Sequence, residues 1–168
     1  TGASSSTNDS IGSVFGVGLV GISVAVFTLA VGLHLNTLDH EFVFDDARGV
    51  VTNKDVLQQN PIADVWKDDF WGKPMSRFQS HKSYRPITVL SFRINHLLHG
   101  LHAEGYHVVN VVIYTVTVLM AFKLGLVFMS NRSARVAAML FCFHPIHVEA
   151  VASLVGRADS LCAIFFIG

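Results

Sequence analysis

The sequence predicts an all-α, polytopic membrane protein, and its composition and long apolar stretches indicate this class. Of its 168 residues, 51% are hydrophobic and only 14% are charged, whereas soluble domains carry about 25% charged residues. Residues 11–35 contain no charged side chain, and about 20 apolar residues are enough for a helix to cross the hydrocarbon core. The formal net charge is zero, so the composition gives no reason to expect a nucleic-acid partner.

The N-terminal part is predicted to be a cytosolic tail followed by a retained membrane span. Residues 1–10 are polar and rich in serine, which is typical of disorder, and residues 11–35 form the first predicted span. That stretch is too long for the apolar region of a signal peptide, and no basic segment precedes it. Because the chain starts at Thr1 without Met and stops at Gly168 inside an apolar run, we expect it to be a fragment of a longer protein.

Residues 36–105 are predicted to form a large polar loop, since they hold nine of the 12 acidic and eight of the 12 basic residues. Two stretches in this loop, after Pro61 and after Pro86, have the periodicity of amphipathic helices. Their apolar residues are Ile62, Val65, Trp66 and Phe70 in the first stretch and Ile87, Leu90, Ile94, Leu97 and Leu101 in the second. Such helices either lie on the membrane surface or pack on the loop itself, and both can hold at once.

Further apolar stretches complete the predicted membrane region. The second span is predicted at 106–129, the third at 136–155 with a break at His-Pro, and the start of a fourth at 156–168. The connection at 130–135 is short and carries two arginines and no acid, which is typical of a cytosolic loop. The large loop is therefore expected on the lumenal side of the membrane.

Two neighbouring carboxylates, Asp45 and Asp46, follow the first predicted span by about ten residues. A solvated acidic turn would account for them. A carboxylate held among apolar neighbours at a membrane surface can also act as a base near neutral pH. Both aspartates are therefore candidate catalytic residues.

The segment 80–86 combines cationic side chains with hydroxyl groups just before a predicted helix. Its candidate ligand-binding residues are His81, Lys82, Tyr84 and Arg85. Such a set suits an anion such as a phosphate. A basic edge that touches anionic lipid headgroups is the alternative, and the residues alone leave both open.

Ionisable residues also lie within the predicted third and fourth spans. His144, His147 and Glu149 could be three metal ligands, but in a continuous helix Glu149 would lie about 160° from His144, so one ion could not easily bind all three. Ionisable groups at membrane depth more often pair with one another and mark a function. The candidate substrate-binding residues here are therefore His144, His147, Glu149, Arg157 and Asp159. A structural ion pair is the alternative for Arg157 and Asp159.

Eight short motifs occur here in the order that is seen in one protein family. They lie at 42–46, 53–55, 69–72, 80–86, 92–95, 106–110, 144–151 and 156–159. Over residues 38–168 the chain resembles the transmembrane and tetratricopeptide repeat-containing proteins, which are O-mannosyltransferases of the endoplasmic reticulum in the C-type glycosyltransferase superfamily. One departure is Val148, where the family pattern has Thr.

The resemblance implies part of a C-type glycosyltransferase helix bundle in the endoplasmic reticulum membrane. It implies dolichyl-phosphate mannose as donor, Ser or Thr of secretory-pathway proteins such as cadherin-like domains as acceptor, and no metal cofactor. Since the sugar is attacked opposite the departing lipid phosphate, inversion is expected. The fragment alone is expected to be inactive, because the site should need later spans.

The resemblance also implies roles for the residues singled out above. The acid/base is Asp45 or Asp46, and cations stabilise the leaving phosphate. Those cations are Arg85, Lys82 and His81, with Arg157 behind them. The chief alternative is a non-catalytic membrane adaptor that acts through the missing tetratricopeptide repeats. A transporter ranks last, because most of the ionisable groups lie in the lumenal loop and not at the bilayer midplane.

Overall fold

The computed structural model describes residues 21–168 as a helical assembly. The predicted tail and the beginning of the first predicted span lie outside these residues. The α-helices are α1, described over 21–33, α2 (Pro86–His99), α3 (Ala103–Phe128), α4 (Asn131–Phe143), α5 (His147–Ala152) and α6 (Arg157–Ile167). Short 3₁₀ helices occupy Leu35–Asp39 and Ile62–Trp66, and a π-helical turn occupies Ala47–Val51. The described part of the chain has no β-strand.

Two segments within residues 21–168 are long and apolar enough to cross a membrane. They are Gly21–Asp39, with 19 residues, and Ala103–Phe128, with 26 residues, and they overlap the first two predicted spans. In α3 the exposed side chains are apolar except for Glu104 and Lys123 towards its two ends, while polar ones such as Asn110 and Thr115 are buried. Helices that pass through lipid have this distribution, because hydrocarbon offers polar groups no partner.

The predicted break in the third span is present, and it separates α4 from α5. Pro145 has no N–H to donate to the carbonyl of Phe141. The Tyr114 hydroxyl of α3 donates to the carbonyl of Cys142 at 2.9 Å and lies 3.4 Å from that of Phe141. A side chain from the neighbouring helix thus satisfies the carbonyl of Cys142, while that of Phe141 also accepts from the N–H of His144 at 3.3 Å.

The predicted connection at 130–135 is longer than the observed one. Helix α4 begins at Asn131, because Ser130 caps it by accepting a hydrogen bond from the N–H of Ser133 at 3.3 Å. A serine before a helix is a strong start signal. The two arginines therefore belong to the first turns of α4.

The prediction of an amphipathic helix after Pro61 is wrong beyond the first turn. A 3₁₀ helix ends at Trp66, after which Asp68 pairs with Pro74 in an isolated antiparallel bridge. Phe70 is buried and Trp66 is exposed, so the two rings do not share one face. The tertiary pairing overrides the apolar periodicity here.

The helix predicted after Pro86 is confirmed as α2, and its two faces have different surroundings. Val89, Phe92 and Asn95 are buried. The opposite side carries exposed apolar residues, which are Ile87, Ile94, Leu97 and Leu98, and the exposed Leu101 follows just after the helix. Most of the apolar residues whose spacing predicted α2 thus lie on its exposed face and not on its buried one.

One apolar cluster joins the large loop to the helices. Its buried members are Val50, Val56, Val65, Phe70, Val89, Phe92, Tyr106 and Leu154. Loop residues, α2, the start of α3 and the α5–α6 connection all contribute to it. Burying each large apolar side chain contributes about 1.5–3 kcal/mol, so this cluster fixes the position of residues 42–85.

Candidate active site

Asp46 is a buried carboxylate with an unused oxygen. Its side chain is 1% exposed. The left-handed backbone of Phe44 (φ 44°) turns the chain so that the N–H of Val43 donates to Asp46 Oδ2 at 3.3 Å. Asp46 Oδ1 makes no hydrogen bond among the described residues, although the backbone N–H groups of Leu154 and Val155 lie close to the carboxylate. A buried acceptor without a donor costs free energy and is typical of functional positions.

The environment of Asp46 raises its pKa above the ordinary value. Burial is the main cause, the neighbouring Asp45 adds to it, and the N–H groups of Val43, Val155 and Leu154 partly offset it. Burial raises a carboxyl pKa because it disfavours the charged form. A carboxylate whose pKa is raised is a better proton acceptor near neutral pH.

Asp45 has a different environment from its neighbour. It is exposed and lines a cleft of about 1190 Å³. Asp46, in contrast, faces the α5–α6 connection near Leu154 and Val155. The predicted pair therefore places one carboxylate in an open polar cleft and the other in the packed interior behind it.

Charged side chains from several turns of the loop line the cleft. The cationic ones are Arg48, Lys54, Lys67, Lys73, Arg77 and His81, and the acidic ones are Asp45, Asp64 and Asp68. Of these, sequence reasoning singled out only Asp45 and His81. The others come from separate turns with no regular spacing, so the concentration of charge in the loop was the one sequence signal for them.

Asp69 organises the wall on which His81 lies. Its carboxylate accepts from the N–H groups of Trp71 and Lys73 at 3.0 Å each, from Ser80 Oγ at 2.6 Å and from the N–H of His81 at 3.0 Å. Burial alone would raise the pKa of Asp69, but these hydrogen bonds together lower it. Asp69 thus ties 69–73 to the start of the predicted phosphate-binding segment, and sequence reasoning did not single it out for this role.

The predicted phosphate-binding segment is divided between two surfaces. His81 lines the cleft, whereas Lys82 does not. The Lys82 ammonium donates to the carbonyl of Arg77 at 2.9 Å and to that of Met75. Lys82 therefore closes the loop 75–82 in this structure.

Tyr84 and Arg85 also lie outside the lining of the cleft. The Tyr84 hydroxyl donates to the carbonyl of Trp66 at 3.2 Å. The Arg85 guanidinium lies 5.3 Å from the centre of the Phe70 ring, which is cation–π distance. Both side chains are exposed, so they remain accessible to a ligand from outside the cleft.

His144, His147 and Glu149 lie at the α4–α5 break and do not line the cleft. His144 Nδ1 accepts from the N–H of Ile146 at 3.2 Å, and the His147 ring lies 4.3 Å from the Phe141 ring. The two histidine rings are 6.0 Å apart. Within 21–168 no three His, Cys, Asp or Glu side chains are grouped as metal ligands.

Arg157 is fully buried at the junction of three helices. Its guanidinium lies 4.4 Å from the centre of the Phe92 ring. It donates to Asn110 Oδ1 at 2.6 Å, Asn95 Oδ1 at 2.7 Å, Ser91 Oγ at 3.1 Å and the carbonyl of Tyr106 at 2.9 Å. These contacts tie α2, α3 and α6 together.

The possible Arg157–Asp159 ion pair is absent from the described residues, where Lys67–Asp64 is the one salt bridge. The reason is that the Arg157 donors already have neutral acceptors inside the protein, while Asp159 is exposed. Direct substrate contact by Arg157 stays a prediction. The observed geometry gives Arg157 a structural role.

Known relatives match most of the chain. Human protein O-mannosyl-transferase TMTC4 is 42% identical over 159 residues, covering 86% of this chain and 22% of that protein. Human protein O-mannosyl-transferase TMTC3 is 42% identical over 153 residues, with 89% and 17% covered. Protein O-mannosyl-transferase Tmtc1 of Drosophila melanogaster is 42% identical over 151 residues, again with 89% and 17% covered.

The chain thus spans about a fifth of the length of these relatives. No protein-family model and no solved structure matches it. The predicted resemblance is confirmed by the relatives, at the same level of identity in mammals and insects. Over the segment that it spans, the chain belongs to the family of the TMTC protein O-mannosyl-transferases.

Proposed function

We propose that this chain carries part of the active site of a protein O-mannosyltransferase in the endoplasmic reticulum membrane. The donor in this proposal is dolichyl-phosphate mannose, and the acceptor is a Ser or Thr hydroxyl of a secretory-pathway protein, such as one with cadherin-like domains. The observation that carries the proposal is the Asp45–Asp46 pair, because it joins an accessible carboxylate to a buried one with a free oxygen and a raised pKa. The names of the relatives support the class of reaction.

The transfer needs a base and a stabilised leaving group. One of the two aspartates accepts the hydroxyl proton of Ser or Thr while the hydroxyl oxygen attacks the anomeric carbon of mannose. The bond from that carbon to the phosphate oxygen breaks, and its electron pair leaves with dolichyl phosphate. Because the attack and the departure occur on opposite faces, the anomeric configuration inverts.

Protein cations, with no bound metal, stabilise the leaving phosphate in this proposal. A positioned cation lowers the barrier where negative charge develops. His81 lies on the cleft wall, near the start of the segment 80–86, and Arg85 is accessible beside Phe70. Lys82 would have to break its hydrogen bonds to the carbonyls of Met75 and Arg77 before it could contact the phosphate.

The outward face of α2 fits a position on the lumenal membrane surface, where a lipid-linked donor would be reached. Its exposed leucines and isoleucines form one stripe, and α2 ends at His99, a few residues before α3 begins at Ala103. Since α3 is long and apolar enough to cross a bilayer, α2 would lie where the chain enters it. A helix with an apolar stripe at that depth lies along the interface.

The test is the isosteric replacement of each carboxylate. We expect Asp45→Asn or Asp46→Asn to reduce mannose transfer at least about a hundredfold, as is typical for loss of a general base. Transfer is measured from labelled dolichyl-phosphate mannose to an acceptor polypeptide, with the full-length parent protein in membranes, because the fragment alone is expected to be inactive. Glu41→Gln is the matched control, because Glu41 is an exposed carboxylate a few residues upstream.

Unchanged transfer in both aspartate variants would reject the proposed site. If the wild-type protein shows no transfer while it still binds partner proteins, the adaptor function replaces the enzymatic one. Thermal unfolding of each variant separates a loss of chemistry from a loss of fold.

A further inference from the structure

We propose that the charged cleft binds an extended polypeptide segment rich in Asp and Glu. On the proposed function this segment flanks the accepting hydroxyl, so the inference rests on that function and specifies its substrate. Its basis is the charge, shape and composition of the cleft wall.

The charge of the wall is positive and largely unpaired. Arg48, Lys54, Lys73 and Arg77 have exposed side chains with no carboxylate or hydrogen-bond partner among residues 21–168. Lys67, by comparison, lies 3.4 Å from Asp64 and neutralises it. Together, five Lys and Arg side chains and His81 face three aspartates. Such an arrangement attracts anionic partners and repels cationic ones.

The shape favours a chain-like ligand. The volume of about 1190 Å³ exceeds the ~300–1000 Å³ that is usual for small-molecule pockets. The four unpaired cations come from residues 48, 54, 73 and 77 of separate turns and line one cleft. A peptide with several carboxylates can neutralise more of these cations than a single phosphate can.

The composition of the wall disfavours a lipid chain. Among the described residues of its lining, Trp71 and Pro74 are the large apolar ones, and the remainder apart from Gly72 carries a charged, imidazole, hydroxyl or amide side chain. A polyprenyl tail would gain little from such a surface. Trp71 offers a flat ring against which a peptide backbone can pack, as aromatic residues do at interfaces.

Asp45 gives the cleft its connection to the reaction. It is a cleft-lining carboxylate of the predicted catalytic pair, so a peptide held by the basic wall would bring its Ser or Thr hydroxyl towards Asp45. Acidic residues on either side of that hydroxyl would contact the unpaired cations. The cleft would thus select the site of modification by charge.

The experiment measures binding of labelled peptides to the full chain in detergent or nanodiscs by fluorescence anisotropy. One peptide has Glu flanking a central Thr, and the second has Gln at the same positions. The test variant is Lys73→Gln/Arg77→Gln. The matched control is Arg132→Gln, because Arg132 is an exposed cation on α4 outside the cleft.

We expect the double variant to weaken binding of the Glu peptide about tenfold, as removal of two complementary charges does at interfaces. Binding of the Gln peptide should be weak and unchanged, and the control should match the wild type. The charge-reversed variant Lys73→Glu/Arg77→Glu should instead prefer a Lys-flanked peptide. This reversal also shows that the cleft is still folded.

Equal affinity of the double variant and the control for the Glu peptide would overturn the inference. So would displacement of the peptide by inorganic phosphate at matching concentration, or binding confined to vesicles of anionic lipid. The two proposals fail separately. Charge-dependent binding without mannose transfer would reject the enzymatic function alone, and transfer without charge preference would reject the acidic-peptide cleft alone.

Discussion

Asp68 shows how the cleft affects a single carboxyl group. Burial and the nearby carboxylates of Asp55, Asp64 and Asp69 raise the pKa of Asp68 to about 6. The folded state therefore holds this proton more tightly than the unfolded chain does. Its contribution to stability is complete below about pH 4 and is lost as the pH rises through about 6.

Asp68→Asn should stabilise the protein at pH 7.5 and not at pH 4. The amide keeps the shape of the protonated acid but cannot ionise, so we expect a gain of about 1 kcal/mol, limited by solvent screening in the open cleft. Denaturant unfolding followed by tryptophan fluorescence at both pH values measures it. Asp39→Asn, at an exposed carboxylate outside the cleft, is the control. A gain of equal size at pH 4 would contradict the stated cause.

Position 72 requires glycine because of its backbone conformation and because of the nearby Asn53 side chain. Gly72 has φ 73°, and an added Cβ would lie 2.5 Å from Asn53 Oδ1. Gly100 has φ 59° with nothing within 4 Å of such an atom. Gly100→Ala should therefore cost about 1 kcal/mol from backbone strain alone, and Gly72→Ala at least about 1 kcal/mol more. Equal unfolding midpoints for the two variants would show that the contact with Asn53 adds nothing to the cost of an alanine at position 72.

The elements of this protein are held together by polar side chains at their ends. Arg157 begins α6 and bonds to α2 and α3, and Tyr114 of α3 completes the end of α4. Such bonds are strong constraints because a buried donor or acceptor without a partner costs about 1–3 kcal/mol.

Arg157→Lys should destabilise the junction by about 3 kcal/mol. An ammonium group cannot reproduce the fork of the guanidinium, so Asn110 Oδ1 or Asn95 Oδ1 loses its donor. Asp159→Asn should leave the unfolding free energy within about 0.5 kcal/mol of the wild type, as an exposed substitution does. A large effect of Asp159→Asn would indicate an ion pair after all. Thermal unfolding of both variants gives the comparison.

Sequence reasoning predicted elements where the signal is local. Apolar periodicity identified α2, a long apolar run identified α3, and Pro145 identified the break between α4 and α5. The end of the helix after Pro61 could not be predicted, because it depends on Asp68 pairing with Pro74 and on side-chain bonds to Asp69. For the same reason, most residues of the cleft wall could not be predicted from the sequence.

At the scale of the whole molecule, composition predicted the membrane class, and motif order predicted the family. Neither could show how the predicted site is arranged. The structure places Asp45 and His81 on one cleft, leaves Arg85 outside it, and puts His144 at a helix break. Packing between residues far apart in sequence decides these positions.

The proposed orientation of the loop can be tested by glycosylation. Phe78→Asn creates the acceptor sequence Asn-Gln-Ser at a side chain that is 99% exposed. We expect this variant to acquire an N-glycan that an endoglycosidase removes, because the loop faces the lumen in the proposed orientation. Phe78→Gln, which creates no acceptor, is the control. A glycan at the native Asn131 sequon together with none at position 78 would reverse the orientation.

The junction at Arg157 also has a consequence for the order of events during biosynthesis. Ser91 and Arg157 are 66 residues apart, and ribosomes add roughly 5–20 residues per second. The first loop therefore exists for about 3–13 s before the guanidinium that ties its last helix to the bundle has been made. Until then the Phe92 ring lacks the guanidinium that lies over it, so the nascent chain offers chaperones a surface that the finished protein conceals.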